Sequence, residues 1–361
     1  MKEDNMLLRV MDWLRFPLIV LVVYIHSNPE CVISPWSYGM PFSFITMFTL
    51  TEVVIQKVIA AAAVPGFFFI SGYLFFYKID NYNLNTYRSK LSRRIWTLLI
   101  PYLLWNTLPV IYPLLLFLFR GQPLTFSFAE WLSSYWDTGG EYHFPANFPL
   151  WYVRDLMIAC LITPVIWSLT KRRVLGGVFI TMLTIAYVFK LWPSIVGHTN
   201  SVFFFYIGSY MSIIKADVLQ LFHKVEKVNY VITFILWIMC VWFYVSCEEN
   251  YHALMPLYTI SSLVSIINVS SRLVSNTSYI WGYLKERVFF IYASHTLFFV
   301  SFVEVLLYSN LQHQPISILF VIYLLMPFLK ITICVIIYNF MAKYMPKNLA
   351  ILNGRREKRS T

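Results

Sequence analysis

The sequence has very little charge and no repeated cysteine motif. Asp, Glu, Lys and Arg make up 12% of its 361 residues, whereas a soluble domain has roughly 25%. So few charges cannot cover a surface that faces water. The five cysteines include no Cys-x-x-Cys pair, which removes the common zinc and redox motifs from consideration. With 59% hydrophobic residues, the class that remains is a membrane protein that crosses the bilayer several times.

Ten apolar runs predict an all-α, polytopic integral membrane helix bundle with about ten transmembrane helices. Glu52 and Lys57 lie in the second run, so we expect it to begin at the interface and to cross only from about residue 58. We expect one transmembrane domain, residues 1–345, and a basic cytoplasmic tail, residues 346–361. The predicted spans are 10–29, 46–77, 94–119, 149–170, 174–193, 201–214, 228–247, 253–271, 287–308 and 315–342.

The basic residues indicate which side of the membrane each loop occupies. With the N-terminus in the cytoplasm, most of the 28 Lys and Arg residues fall in inner segments. This asymmetry follows the positive-inside rule and predicts a multi-pass protein of the cell membrane with both termini cytoplasmic. The net charge of +11 lies in short clusters between apolar runs. It therefore marks topology and does not indicate nucleic-acid binding.

A charged stripe runs along the first span, DWLRFPLIVLVVYIHS. No small-x-small cleavage site follows it, so we interpret it as a retained helix and not a signal peptide. At 100° per residue, Asp12, Arg15 and His26 share one face, and roughly 16 Å of rise separates Arg15 from His26. Asp12 can pair with Arg15. Arg15 also suits an interfacial anchor and His26 a buried structural histidine, but a neutral His26 could act as a general base.

Two segments at the inner side carry residues suited to a ligand. Arg93 and Arg94 lie at the inner mouth of the third span. Topology explains one or two arginines there, but with Arg15 and Lys90 they form a basic cluster suited to phosphate groups. Small residues interrupt the aromatic segment 64–76, where they allow another helix or a ligand to approach the backbone closely.

Two later spans contain further polar pairs. Arg154 and Asp155 enter the fourth span from outside, either as functional groups or as a self-contained ion pair. Tyr292 and His295 are three residues apart on one face of the ninth span. Glu304 is nine residues further on, about 180° around a continuous helix, so we expect it to face elsewhere.

The two longest outer loops, residues 28–46 and 120–148, are rich in aromatic and acidic residues. An interfacial aromatic belt is one interpretation. A platform on which sugar rings stack is the other. In the second interpretation, Trp136, Glu141 and His143 are candidates for contact with an acceptor.

Taken in order, these segments resemble the membrane-bound acyltransferase 3 family over nearly the whole chain. Members typically show an Arg-x10-His first helix, a phenylalanine-rich segment ending in Ser-Gly-Tyr-Leu, a basic residue before a Pro-Tyr-Leu-Leu-Trp helix, and a late Tyr-x-x-His. Here the motifs stand as Arg15 to His26, SGYLFF at 71–76, RRIWTLLIPYLLW at 93–105 and YASH at 292–295.

The chain departs from the family pattern in two places. Many members have Trp-Ser-Leu-x-x-Glu-Glu in the fourth span, where this chain has LWYVRDL; either Asp155 takes the place of the acid or that role is absent. Many members also carry an extracytoplasmic esterase-like domain after the last span. We expect this chain to be a stand-alone form.

The resemblance implies transfer of an acyl group, usually acetyl from acetyl-CoA, to a hydroxyl of a cell-surface polysaccharide or its lipid-linked precursor. Acyl-CoA would enter as a substrate from the cytoplasm and the acceptor from outside, with no permanently bound cofactor and no metal. Membrane lipids, the glycan and glycan-assembly proteins are the expected partners. The implied site residues are catalytic His26, Arg15 and Asp12; donor-binding Arg93, Arg94, Ser71 and Tyr73; supporting Arg154, Asp155, Tyr292 and His295; and acceptor-side Glu141, His143 and Trp136.

Other interpretations stay open at this point. A transporter or flippase for a lipid-linked sugar would share the spans, the intramembrane charges and the aromatic loops, although we find no inverted repeat. A third interpretation is a purely structural membrane protein, which would have to explain why Asp12, Arg15 and His26 are aligned on one face. Succinyl could replace acetyl, and the acceptor glycan is open. His26 could be a general base or a transient acyl carrier.

Overall fold

The computed structural model describes residues 2–27, 44–121, 127–139, 143–191, 199–274, 279–311 and 314–355. Within these ranges the chain forms helices and no strand. The α-helices of the described ranges are α1 (Lys2–Ile25), α2 (Phe44–Glu52), α3 (Ala63–Phe76), α4 (Leu84–Arg94), α5 (Ile100–Phe119), α6 (Phe128–Ser134), α7 (Trp151–Leu161), α8 (Thr163–Thr170), α9 (Arg173–Val188), α10 (Thr199–Ile213), α11 (Val218–Ser246), α12 (Glu248–Leu273), α13 (Tyr279–Lys285), α14 (Val288–Ser294), α15 (Phe298–Leu311), α16 (Ile316–Tyr344) and α17 (Pro346–Leu352).

Five of the described helical stretches are long and apolar enough to cross a membrane, and seven are if each of two bent pairs is one span. The bends are 55° between α7 and α8 and 63° between α14 and α15. The shorter apolar stretches are Arg173–Val188 and Ser201–Ile213. The all-α multi-pass bundle is therefore confirmed. The count of ten spans and the cytoplasmic position of the termini stay predictions.

The first helix is central to the bundle. α1 packs against α3, α12, α13, α14 and α16, and its apolar side chains Val10, Ile19 and Val23 are fully buried. The surrounding helices reach both ends of α1. The charged stripe predicted on α1 therefore lies on a helix that other helices surround, and its side chains Asp12 and Arg15 are partly exposed.

The second predicted span is one helical stretch whose winding changes midway. A π-helical turn, Val53–Val58, is followed by a 3-10 turn, Ile59–Ala62, before α3 begins. The expected boundary near residue 58 coincides with the junction of these two turns. π-turns occur often at functional sites, and this one places Gln56 next to the end of α1.

Two glycines let α3 and α10 pack with their backbones in contact. A Cβ on Gly72 would lie 2.0 Å from the carbonyl oxygen of Phe205, and one on Gly208 would lie 2.1 Å from that of Phe69. No larger residue fits either position. The close approach predicted for the segment around Gly72 is therefore an approach of another helix.

The beginning of the predicted tail packs against the bundle. α17 lies against α5, and the indole N–H of Trp105 donates to the carbonyl oxygen of Leu352 across 3.0 Å. Gly354, at φ +69°, reverses the chain beside Thr97, where the guanidinium of Arg355 lies 4.1 Å from the ring centre of Trp96. Residues 356–361 lie outside the described ranges.

Candidate active site

The end of α1 that is predicted to face the cytoplasm carries an acid held between two cations. Arg15 donates to Asp12 across 3.3 Å, as the i,i+3 spacing predicts. Lys285, at the end of α13, pairs with the other carboxylate oxygen of Asp12. Trp281 stacks on Trp13, with ring centres 4.7 Å apart. All three charged side chains are partly exposed.

The opposite end of α1 is held by side chains from two other helical segments. α1 ends at Ile25, which leaves the carbonyl groups of His26 and Ser27 without helical partners. Lys330 of α16 donates to the carbonyl oxygen of His26 across 2.6 Å, and Gln56 donates to that of Ser27 across 3.0 Å. Both donors are buried. The backbone at His26 is thus fixed from two sides.

A second imidazole lies beside His26. The ring centres of His26 and His295 are 5.3 Å apart, with 32° between the ring planes. Phe148 meets the His26 ring edge-on at 4.8 Å. His295 is completely buried, whereas His26 is partly exposed. Two residues predicted in different roles, catalytic and supporting, therefore form one pair.

The ninth predicted span breaks next to His295. α14 ends at Ser294 and α15 begins at Phe298. The break frees the carbonyl group of Ala293, which accepts a 2.9 Å hydrogen bond from the side-chain amide of Asn147. Tyr292 donates to the carbonyl oxygen of Pro149. The short segment before α7 therefore holds the broken helix in place.

The expectation that Glu304 faces away from this site is wrong. Glu304 pairs with Lys330 at 2.6 Å, and Lys330 in turn binds the carbonyl of His26. The angle count assumed a continuous helix, and the 63° bend between α14 and α15 invalidates it. A buried ion pair thus lies within two contacts of the His26–His295 pair.

Arg154 and Asp155 form a buried ion pair that also anchors the outer segment. Arg154 donates to Asp155 across 3.1 Å, and their side chains are 4% and 2% exposed. The Arg154 guanidinium also donates to the carbonyl oxygens of Trp136 at 2.7 Å and His143 at 2.6 Å. Ser201 donates to the second oxygen of Asp155 at 2.8 Å. The predicted role of Arg154 and Asp155 in supporting the channel stays a prediction.

Two of the predicted acceptor-side residues, Trp136 and His143, contact this anchor. His143 binds Asp137 at 2.6 Å, and Trp136 is 57% exposed. The backbone N–H of Gly139 and then the His143 ring hydrogen-bond to the Asp137 carboxylate and lower its pKa below the ordinary value. Glu141 lies outside the described residues. The exposed aromatic surface here fits either a sugar or the membrane interface.

The predicted donor-binding residues are not gathered at one point by their contacts. Ser71 bonds the hydroxyl of Tyr152 at 2.9 Å, and Tyr73 is buried. The guanidinium of Arg94 lies 5.8 Å from the ring centre of Phe75, and Arg93 is exposed. The inner position of the two arginines and the donor-binding role of all four residues stay predictions.

Several residues of this site were not predicted. Lys285, Lys330, Gln56 and Asn147 each contact a site residue or its backbone. A lysine inside the apolar run of α16 was a usable signal, because a buried charge in a span requires a partner. Within the described part of the chain, no three His, Cys, Asp or Glu side chains lie together as in a metal site.

Comparison with known proteins defines the class to which this helical bundle belongs. Residues 8–339 match the acyltransferase 3 family, which is described as an acyltransferase domain. The chain is therefore a member of that family of membrane acyltransferases. It is similar to the succinoglycan biosynthesis protein ExoH of Rhizobium meliloti (strain 1021). The two are 25% identical over 363 residues, which cover 95% of this chain and 91% of that protein. No solved structure matches the chain.

Proposed function

We propose that this protein is an O-acyltransferase of the cell membrane that acts on a cell-surface polysaccharide or its lipid-linked precursor. The observation that carries the proposal is the arrangement on α1: cations bind Asp12 at one end, and His26 pairs with a second imidazole at the other. Acyl-CoA is polyanionic and fits the first end. The similarity to a protein of succinoglycan biosynthesis supports a polysaccharide as the acceptor.

The chemistry requires two proton transfers, to His26 and from it, and the exchange of a C–S bond for a C–O bond. The acceptor hydroxyl oxygen attacks the thioester carbonyl carbon while its proton passes to His26, and the C–S bond then breaks. The CoA thiolate takes the proton back from His26, so the enzyme is unchanged. In this proposal Arg15, Arg93, Arg94 and Lys285 bind phosphates of the donor. Acetyl is the proposed acyl group, and His26 could instead carry it transiently.

Two measurements test this function. Glycan from cells with and without the gene is compared by mass, and an acetyl increment that depends on the gene is expected. A succinyl increment would keep the proposed reaction and change only the identity of the transferred acyl group. Purified protein in detergent is then given acetyl-CoA or succinyl-CoA with the glycan, and release of free thiol is followed. No thiol release with either donor would contradict the proposal and favour a transporter of lipid-linked sugar.

A further inference from the structure

The hydrogen bonds of His295 determine where its proton lies. Its Nδ1 is 2.9 Å from the carbonyl oxygen of Tyr292 and 3.1 Å from that of Ile291. Both carbonyls only accept hydrogen bonds, so Nδ1 must carry the hydrogen. A neutral imidazole protonated at Nδ1 has a bare lone pair at Nε2.

The free nitrogen of His295 is buried and has no partner among the described residues. A doubly protonated ring would place a second buried charge here, and the nearby carboxylate of Glu304 is already paired with Lys330. Such an unpaired buried charge is strongly unfavourable. A buried acceptor without a donor is also unfavourable, because the lost hydrogen bond to water is not replaced. His295 therefore lacks one donor, and the donor has to come from a neighbouring group.

His26 is the neighbour that can supply this donor. Two imidazoles with ring centres 5.3 Å apart can form an N–H···N bond of roughly 3 Å when a nitrogen of each ring faces the other. Rotation of the partly exposed His26 ring would close the bond, and hydrogen bonds of this kind often tighten only when substrate is bound. His295 is fully buried, whereas His26 is partly exposed, so His26 is the member of the pair that we assign to contact with substrate.

We propose that His295 is the positioning residue of a histidine pair, which accepts the N–H of His26 and so directs the opposite, unprotonated nitrogen of His26 toward the acceptor hydroxyl. The proposal rests on the proposed function and deepens it. When His26 takes the hydroxyl proton, the resulting imidazolium keeps its hydrogen bond to Nε2 of His295. That proton then returns to the thiolate that leaves, and His295 stays neutral throughout.

Two substitutions separate this role from packing. In His295→Asn, the side-chain amide can replace Nδ1–H but places no atom at Nε2. In His295→Gln, the amide oxygen reaches the position of Nε2 and restores an acceptor. We expect kcat to fall about 100-fold in His295→Asn with the KM for acyl-CoA changed less than about threefold. His295→Gln should recover at least about tenfold of that loss.

A second measurement needs neither donor nor acceptor. Diethyl pyrocarbonate acylates unprotonated imidazole nitrogens, and mass spectrometry gives the labelling rate of His26 relative to the exposed His252 in the same molecule. We expect the relative rate to fall at least about fivefold in His295→Asn and to return in His295→Gln. The smaller Asn side chain opens space, so access alone would change the rate in the opposite direction.

The outcomes distinguish the pair from the proposed function. Unchanged labelling of His26 in both variants would overturn the histidine pair even if acyl transfer is observed. Equal loss of labelling and kcat in Asn and Gln variants would assign His295 to packing and would also overturn it. If the labelling follows the expected order but no acyl-CoA is consumed, the pair stands and the proposed function fails.

Discussion

Lys330 donates a 2.6 Å hydrogen bond to the carbonyl oxygen of His26, deep inside the bundle. A cation is favourable at this position because the end of a helix carries partial negative charge. Lys330 is 1% exposed and is also paired with Glu304. One buried side chain thus connects α16, the broken α14–α15 pair and the residue proposed to accept the proton.

Removal of this lysine should have two separable effects. Lys330→Met leaves the Glu304 carboxylate buried without its partner and should cost about 3–5 kcal/mol of stability. In the double variant Lys330→Met/Glu304→Gln the melting temperature in detergent should largely recover. The kcat should stay at least about tenfold below that of the wild type, because the carbonyl oxygen of His26 still lacks its hydrogen bond from residue 330. A double variant with wild-type kcat would show that Lys330 only neutralises Glu304.

Arg154 should matter through the outer segment that it holds. In Arg154→Lys, an ammonium group replaces the planar guanidinium, which donates hydrogen bonds to Asp155 and to the carbonyl oxygens of Trp136 and His143. We expect faster amide exchange over residues 143–147, and a KM for the acceptor that rises about fivefold or more. The exposed Arg120 gives the control Arg120→Lys. Equal exchange in both variants would remove the anchoring role.

The contact between α3 and α10 predicts a large effect of one methyl group. Gly72→Ala places a Cβ against the carbonyl of Phe205 and should destabilise the protein by about 1–3 kcal/mol through overpacking. Gly282 also lies in a helix, and a Cβ there meets nothing within 4 Å. Gly282→Ala should leave the melting temperature unchanged or slightly raised. Similar melting temperatures for the two variants would contradict the packing.

The inner basic residues should act on donor binding. Arg15→Ala and Arg93→Ala should each raise the KM for acyl-CoA by about fivefold or more, since each removes a charge-assisted hydrogen bond to phosphate. Arg173→Ala, an exposed inner arginine of α9, serves as the control. A KM equal to that of the control in both variants would remove the phosphate-binding role.

The relative positions of residues on one uninterrupted helix could be predicted from the sequence. Asp12 and Arg15 pair as their spacing requires, and His26 lies at the other end of the same helix, because helical periodicity fixes relations over short distances. The helical class followed equally directly from composition. These inferences needed no knowledge of how one helix packs on another.

Relations between helices could not be predicted in the same way. Glu304 was misplaced because the break after Ser294 is stabilised by Asn147, a residue far away in the chain. Lys285 and Lys330 reach Asp12 and His26 only because α13 and α16 pack at a particular height along α1. That register depends on side-chain packing across the whole bundle, and no local pattern encodes it.

The central claim is that His26 takes part directly in acyl transfer. The most direct measurement is the rate of acceptor-dependent thiol release from acyl-CoA by purified His26→Ala protein. His252→Ala is the control, and the elution volume of each variant in size-exclusion chromatography in detergent checks its folding. We predict that His26→Ala lowers kcat by about 100-fold or more and that His252→Ala does not change it. A folded His26→Ala protein that transfers the acyl group at the wild-type rate would contradict the account.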